Sequence, residues 1–154
     1  MSLNRLKART QSAHKLGVFV LKGHELKFHK IGRDGSAKCN ACCTDSEPGI
    51  VEGVVFEIDA SEVANLDRAE GLGNGYEKKN VQVINDQGEV VDVFSYFATR
   101  TDDSLRPFSW YKRHVLVGAK SAGLSNDYIS KIQSVKVIKD PDSSRERREL
   151  LIYG

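Results

Sequence analysis

The pattern of hydrophobic and polar residues over roughly the first hundred positions predicts a strand-rich fold. Leu26–Ile31 alternates apolar with polar side chains, and Leu16–Leu21 is rich in β-forming residues. Glycines at Gly23 and in the run Gly32–Gly35 are typical of turns between such segments. Further strands are predicted through the cysteines at positions 39–43 and at Ile50–Ile58, Tyr76–Ile84 and Val90–Thr99.

Helical patterns lie mainly between and after these strands. Ser61–Glu70 predicts a short helix that the glycine-rich run Gly71–Gly75 ends. Residues 3–9 predict a short opening helix, and two later helices are expected at Trp110–Ala122 and Tyr128–Val135. Because strands come first and helices late, the order predicts an α+β domain, with a small bent sheet or β-barrel and flanking helices.

Length and charge limit the classes of function. The 154 residues fit a single domain spanning 1–154, whose positions 141–154 form a charged tail that we interpret as a solvated helix face. A net charge of +2 gives no electrostatic reason to expect nucleic acid or an anionic membrane as partner. No apolar run approaches the roughly 18 residues that a membrane-spanning helix needs, and the first residues lack the hydrophobic stretch of a signal peptide.

Three cysteines, Cys39, Cys42 and Cys43, lie within five residues of one another. An odd, clustered set makes a poor disulfide framework and favours a reducing compartment, so we predict a cytoplasmic location. Cys39 and Cys42 have the spacing of a metal-binding pair, and His29 could join them. A structural zinc site uses four ligands, however, so we predict reduced, buried and metal-free thiols. A metal-binding module remains an alternative that metal analysis would test.

Four features occur along the chain in a fixed order. They are the strand Gly53–Ile58, the segment Leu66–Gly71 (Leu-Asp-Arg-Ala-Glu-Gly), Tyr76 opening a strand with Val81 and Val83, and Tyr111 ahead of Val117–Lys120, Gly123, Leu124 and Tyr128. This succession resembles the γ-glutamylcyclotransferase-like superfamily, which also contains plant avirulence-induced proteins and γ-glutamyl-removing enzymes of antibiotic maturation. The resemblance covers roughly residues 1–140.

The resemblance implies an enzyme whose substrate is a small γ-glutamyl amine or peptide. In such enzymes the substrate's own α-amine attacks the γ-carbonyl, which yields 5-oxoproline and a free amine without metal or organic cofactor. The position of the acid/base residue falls on Glu70, and Gly71, Tyr76 and Tyr111 match substrate-binding positions. Asp67 is expected to cap or pair locally.

Simpler interpretations of these residues remain open. Glu70 also fits a solvated glutamate at the end of an amphipathic helix. Tyr76 and Tyr111 also fit tyrosines at the edge of the core with exposed hydroxyls.

The resemblance is incomplete at the first strand. Family members begin with a strand ending in Tyr-Gly-Ser-Asn, whose loop binds the γ-glutamyl group, whereas Met1–Leu6 resembles the segment directly after that loop. Either the natural start lies upstream, or the shortening is real, or another segment such as Leu150–Gly154 replaces the strand. For that last segment a frayed helical tail is the favoured interpretation. An open sheet edge would favour a homodimer.

Besides the metal-binding alternative, two functions remain after the sequence alone. The first is a γ-glutamyl cyclotransferase that is active once the missing strand is supplied. The second is a non-catalytic relative that binds a small molecule or a partner protein.

Overall fold

A computed structural model of the chain describes residues 3–45 and 48–153, apart from the side chain at position 4. Positions 1, 2 and 154, which entered the sequence predictions, lie outside these residues. The helices are α1 (Leu3–Lys7), α2 (Val63–Glu70), α3 (Ser109–Ala122), α4 (Asn126–Ser134) and α5 (Ser143–Leu150), with 3-10 turns at Ala60–Glu62 and Leu151–Tyr153. The strands are β1 (His14–Lys22), β2 (His24–Ile31), β3 (Ala37–Cys43), β4 (Ile50–Glu57), β5 (Tyr76–Ile84) and β6 (Val90–Ala98).

All the predicted strands are present, and the fold is α+β, with a bent antiparallel sheet and flanking helices. The pairing differs from a single sheet. Strands β4, β1, β5 and β6 form one sheet in that order, and β2 pairs with β3 in a separate ribbon. The chain leaves the first sheet at Gly23, whose φ of 71° suits glycine. Asn40 then joins the ribbon to the sheet, because its side-chain oxygen accepts a hydrogen bond from the backbone N–H of Ala98 at 2.8 Å.

An open seam runs between β1 and β5. These strands share one residue pair, Val20 with Ile84. By contrast, β1 pairs with β4 from His14 to Lys22, and β5 pairs with β6 along its whole length. Among the described residues, the facing edges of β1 and β5 therefore have no strand partner beyond that single pair. We call this gap the β1–β5 seam.

Two apolar clusters attach the helices to the strands. Leu66 of α2 packs with Leu6 and Ala13, and Ala119 of α3 packs with Tyr128 and Ile132 of α4. The predicted helices are confirmed, with the first turn of Ser61–Glu70 in 3-10 form and α4 beginning before Tyr128. None of the described helices combines the length and apolarity required to cross a membrane.

The charged tail is a helix docked on α3. Asp140 is buried and accepts hydrogen bonds from Trp110 Nε1 at 2.7 Å and Arg145 Nε at 2.6 Å. The hydrogen bonds from Arg145, followed by those from Trp110 and the backbone, hold the pKa of Asp140 well below its usual range. At the end of the tail, the Tyr153 hydroxyl contacts Nδ1 of buried His114. The described part of the tail is therefore helical, and it does not replace a sheet strand.

Candidate active site

Glu70 is the last residue of α2, and a glycine cap fixes where the helix stops. Gly71 adopts the left-handed conformation with φ 71° and ψ 45°, and its N–H bonds to the carbonyls of Asp67 and Arg68. The side chain of Glu70 is 18% exposed and accepts a hydrogen bond from Arg9 Nη1 at 2.8 Å. The carboxylate is thus partly buried and held in one orientation by a guanidinium from a distant part of the chain.

Tyr76 and Tyr111 meet at a single peptide unit of β3. The Tyr76 hydroxyl donates to the Cys39 carbonyl at 3.0 Å, and the Tyr111 hydroxyl accepts from the Cys39 N–H at 3.0 Å. Burial raises the pKa of both hydroxyls, so both stay protonated. The hydroxyls expected to orient Glu70 or a substrate therefore have the Cys39 backbone as their partner in the structure.

Lys30 lies against the Tyr76 ring, although it was not among the predicted site residues. The residue is 9% exposed, and its Nζ lies 4.6 Å from the centroid of the Tyr76 ring. Burial lowers the pKa of Lys30, as do the charges of Lys38 and Arg33, whereas the nearby Glu70 carboxylate acts in the opposite direction. Glu70, Tyr76 and Lys30 thus form one electrostatically coupled group.

Two local features bring the lysine inward. A bulge between Phe28 and Lys30 interrupts the regular pairing of β2 with β3, and His29 and Lys30 are both buried although they are neighbours. Gly75 leaves room for the side chain, since a Cβ there would lie 3.1 Å from both Cε and Nζ of Lys30. Strict alternation along Leu26–Ile31 cannot foresee such a bulge, but it does place Lys30 on the same face as Leu26 and Phe28, and this was the local signal that the lysine points inward.

Asp67 pairs as expected, but with residues of β5 and β6 and not locally within its own helix. It accepts hydrogen bonds from Lys78 Nζ at 2.8 Å and from the Tyr96 hydroxyl at 2.5 Å. The hydrogen bond from Lys78 holds the pKa of Asp67 below its usual range. Asp67 therefore braces α2 against β5 and β6 beside the candidate site.

A second polar network links the two sheets. Asn40 Nδ2 donates to His29 Nε2 at 3.0 Å, so Nδ1 carries the proton and donates to Asp103 at 2.8 Å. This arrangement occupies both ring nitrogens of His29, the histidine considered as an added metal ligand. Within residues 3–45 and 48–153, no three His, Cys, Asp or Glu side chains are grouped so that they could hold a metal ion.

The cysteines differ from one another in exposure. Cys39 is half-buried, and burial raises the pKa of its thiol to about 11. Cys42 is also half-buried, but Cys43 is exposed, since it lies at the solvent-facing end of β3. The prediction of buried thiols is therefore wrong for Cys43.

The clearest surface grooves lie away from Glu70. One of about 560 Å³ runs along β5 and β6, and one of about 320 Å³ lies between β2 and the end of α4. Neither groove is lined by Glu70, Tyr76 or Tyr111. A cavity at Glu70 that also receives Tyr76 or Tyr111 stays a prediction.

Comparison with known families identifies the family to which the chain belongs. The model of the AIG2-like family matches residues 50–132, a little over half of the chain. The chain belongs to the AIG2-like family. The match includes Glu70, Gly71, Tyr76 and Tyr111, whereas Arg9 and Lys30 precede it.

Curated relatives and solved structures agree with this membership in the γ-glutamylcyclotransferase-like superfamily. A bovine protein named gamma-glutamylcyclotransferase is 33% identical over 136 residues, which make up 86% of this chain and 72% of that protein. The mouse protein of the same name is 31% identical over 56% of this chain, and the match spans less than half (46%) of the mouse protein. A solved structure named gamma-glutamyl cyclotransferase superposes with a TM-score of 0.86 at 24% identity, covering 99% of this chain and 93% of the other, which shows the shared fold.

Proposed function

We propose that this AIG2-like protein cyclises a γ-glutamyl amine or peptide to 5-oxoproline and releases the amine. The α-amine nitrogen forms a bond to the γ-carbonyl carbon, and the bond from that carbon to the leaving nitrogen breaks. The attacking ammonium nitrogen loses two protons as it becomes the lactam N–H, and the leaving nitrogen gains two and departs as an ammonium, so atoms and charges balance. The observation that carries the proposal is the oriented, partly buried carboxylate of Glu70 within the segment that matches the family.

Glu70 is proposed to move these protons. The substrate's α-amine is mostly ammonium near neutral pH, so a carboxylate must first accept a proton before the nitrogen can attack. The same carboxyl group then protonates the departing amine. Arg9 fixes the orientation of the carboxylate, and orientation matters because ring closure succeeds only from a folded-back conformer of the substrate. The reaction involves no change in oxidation state, so no cofactor is proposed.

The proposal includes an additional strand in the β1–β5 seam. The facing edges of β1 and β5 can accept a further strand by ordinary backbone pairing. The family resemblance associates such a strand with the loop that binds the γ-glutamyl group. An upstream segment of the chain is our first candidate for this strand, and a second copy in a homodimer is the alternative.

We also propose a cytoplasmic location, because three clustered thiols suit a reducing compartment.

A non-catalytic relative that binds a small molecule or a partner protein is the second candidate function. It is favoured by the hydroxyls of Tyr76 and Tyr111, which are engaged with the Cys39 backbone. A protein of this kind would bind a γ-glutamyl compound without releasing 5-oxoproline.

The experiment measures 5-oxoproline by mass spectrometry after incubation with γ-glutamyl methylamide and a panel of γ-glutamyl peptides. We expect weak release by the 154-residue protein and strong release by a form with a family-type strand fused before Met1. N-acetylated γ-glutamyl methylamide serves as the control, because its blocked nitrogen cannot attack. If neither form releases 5-oxoproline from any member of the panel, the cyclotransferase proposal is wrong and the binding alternative gains.

A further inference from the structure

Lys30 is a buried cation without an acidic partner. Among the described residues its ammonium makes no ion pair and no hydrogen bond, and its identified contact is the face of the Tyr76 ring. Nearby cations differ in this respect, since Lys38 pairs with Asp34 at 2.7 Å and Arg9 pairs with Glu70 at 2.8 Å. A buried ammonium without a carboxylate in direct contact is unfavourable, and a bound anion would stabilise it.

The surroundings of Lys30 strengthen the attraction for an anion. Lys38 and Arg33 both lie close enough to act electrostatically on the ammonium. Arg33 also reaches the Glu70–Gly71 junction, since its Nη2 lies 3.7 Å from the position that a Cβ on Gly71 would occupy. Asp34 and Glu70 act in the opposite direction, but Asp34 pairs with Lys38 and Glu70 pairs with Arg9, so positive charge is in excess around Lys30. Charge interactions in such a partly desolvated region are stronger than in water.

The lysine is also held in place before any ligand binds. The Tyr76 ring lies under the ammonium in a cation–π contact, and Gly75 leaves the space that the end of the side chain fills. A cation fixed in this way loses little conformational entropy when it binds a ligand.

We propose that Lys30 binds the α-carboxylate of the γ-glutamyl substrate, with Arg33 at the edge of the same subsite. This inference rests on the proposed function. The α-carbon of a γ-glutamyl group carries a carboxylate and an ammonium side by side. Lys30 and Glu70 present a matching pair of opposite charges, so the carboxylate faces the lysine while the amine faces the proton acceptor. The subsite selects substrates whose α-carboxylate is free.

The kinetic test compares γ-glutamyl methylamide with its analogue in which the α-carboxylate is a carboxamide. Both compounds retain the amine and can cyclise. For the carboxylate substrate, Lys30→Met is expected to raise KM about tenfold to a hundredfold, the effect of losing one charge-assisted hydrogen bond, with a smaller change in kcat. Lys30→Arg is expected to keep most of the affinity. For the carboxamide substrate, KM is expected to be the same with wild type, Lys30→Met and Lys30→Arg. Lys79→Met is the matched control, because Lys79 is exposed and pairs with Glu77 on β5.

A binding measurement separates this inference from the proposed function. Calorimetric titration uses 5-oxoproline, which keeps the carboxylate, and 5-oxoprolinamide, which lacks it. We expect 5-oxoproline to bind wild type and Lys30→Arg, and to lose at least tenfold in affinity for Lys30→Met. Binding of this kind without turnover would refute cyclisation and leave the subsite standing. Equal binding by wild type and Lys30→Met, equal binding of the amide, or no binding of 5-oxoproline by wild type would overturn the role of Lys30.

Discussion

The shared peptide at Cys39 leads to a prediction about two tyrosines. Cys39 is paired with Phe28 of β2, while its N–H and C=O bond to the hydroxyls of Tyr111 and Tyr76. Tyr111→Phe leaves a partly buried N–H without an acceptor, which costs about 1–3 kcal/mol. Tyr76→Phe leaves the Cys39 carbonyl without its donor, and unsatisfied carbonyls are tolerated better than unsatisfied N–H groups. We therefore expect Tyr111→Phe to lower the free energy of unfolding by about 2 kcal/mol and Tyr76→Phe by about 1 kcal/mol.

The assay is urea unfolding followed by circular dichroism and tryptophan fluorescence, with the urea dependence compared among variants. The double variant tests whether the two hydroxyls act through one peptide. Since both contact Cys39, their effects should deviate from additivity by at least about 0.5 kcal/mol. Tyr153→Phe removes a hydroxyl that bonds to His114 elsewhere, so its effect should add to that of Tyr111→Phe. A smaller loss for Tyr111→Phe than for Tyr76→Phe would refute the argument from the unsatisfied N–H.

Further predictions concern stability and the position of Glu70. Asp140→Asn should lower the free energy of unfolding by about 2 kcal/mol at neutral pH, because it weakens the hydrogen bonds from Trp110 and Arg145. Since the pKa of Asp140 is depressed in the folded protein, this contribution is full above pH ~4, near the unfolded pKa, and is lost as the pH falls through the folded pKa. Chemical denaturation from about pH 3 to 7 would show the difference, and a constant gap between the two proteins would contradict it. Gly71→Ala should cost about 1–2 kcal/mol, because its φ of 71° strains any residue with a Cβ, and urea midpoints unchanged from wild type would contradict this.

Local pattern was enough to predict most elements of the fold. The predicted strands Tyr76–Ile84 and Val90–Thr99 form a regular antiparallel pair, and in the turn between them the Asn85 side chain accepts hydrogen bonds from the Gln87 and Glu89 backbones. The separation of β2 and β3 into their own ribbon was not predictable, because pairing between distant strands leaves no local periodicity. The position of the β1–β5 seam was not predictable from local pattern for the same reason.

The candidate site was less accessible to sequence reasoning. A glutamate at the end of a short helix is common, so Glu70 was selected through the family resemblance and not through its local pattern. Its partner Arg9 lies 61 positions away in the chain, and only the folded structure brings the two together. Lys30 was missed because its residue type suggests a solvent-facing side chain, although alternation places it on the same face as Leu26 and Phe28.

The most direct test of the central claim is kcat for 5-oxoproline release by Glu70→Gln, measured on the strand-completed protein. Glutamine keeps the shape of the side chain but cannot accept the proton, so we expect kcat to fall about 10²–10⁴-fold. Glu57→Gln is the matched control, because Glu57 is 63% exposed and pairs with His14 on the far side of β1, and its kcat should equal that of wild type. Turnover by Glu70→Gln equal to that of Glu57→Gln would contradict the assignment of Glu70 as the residue that moves the proton.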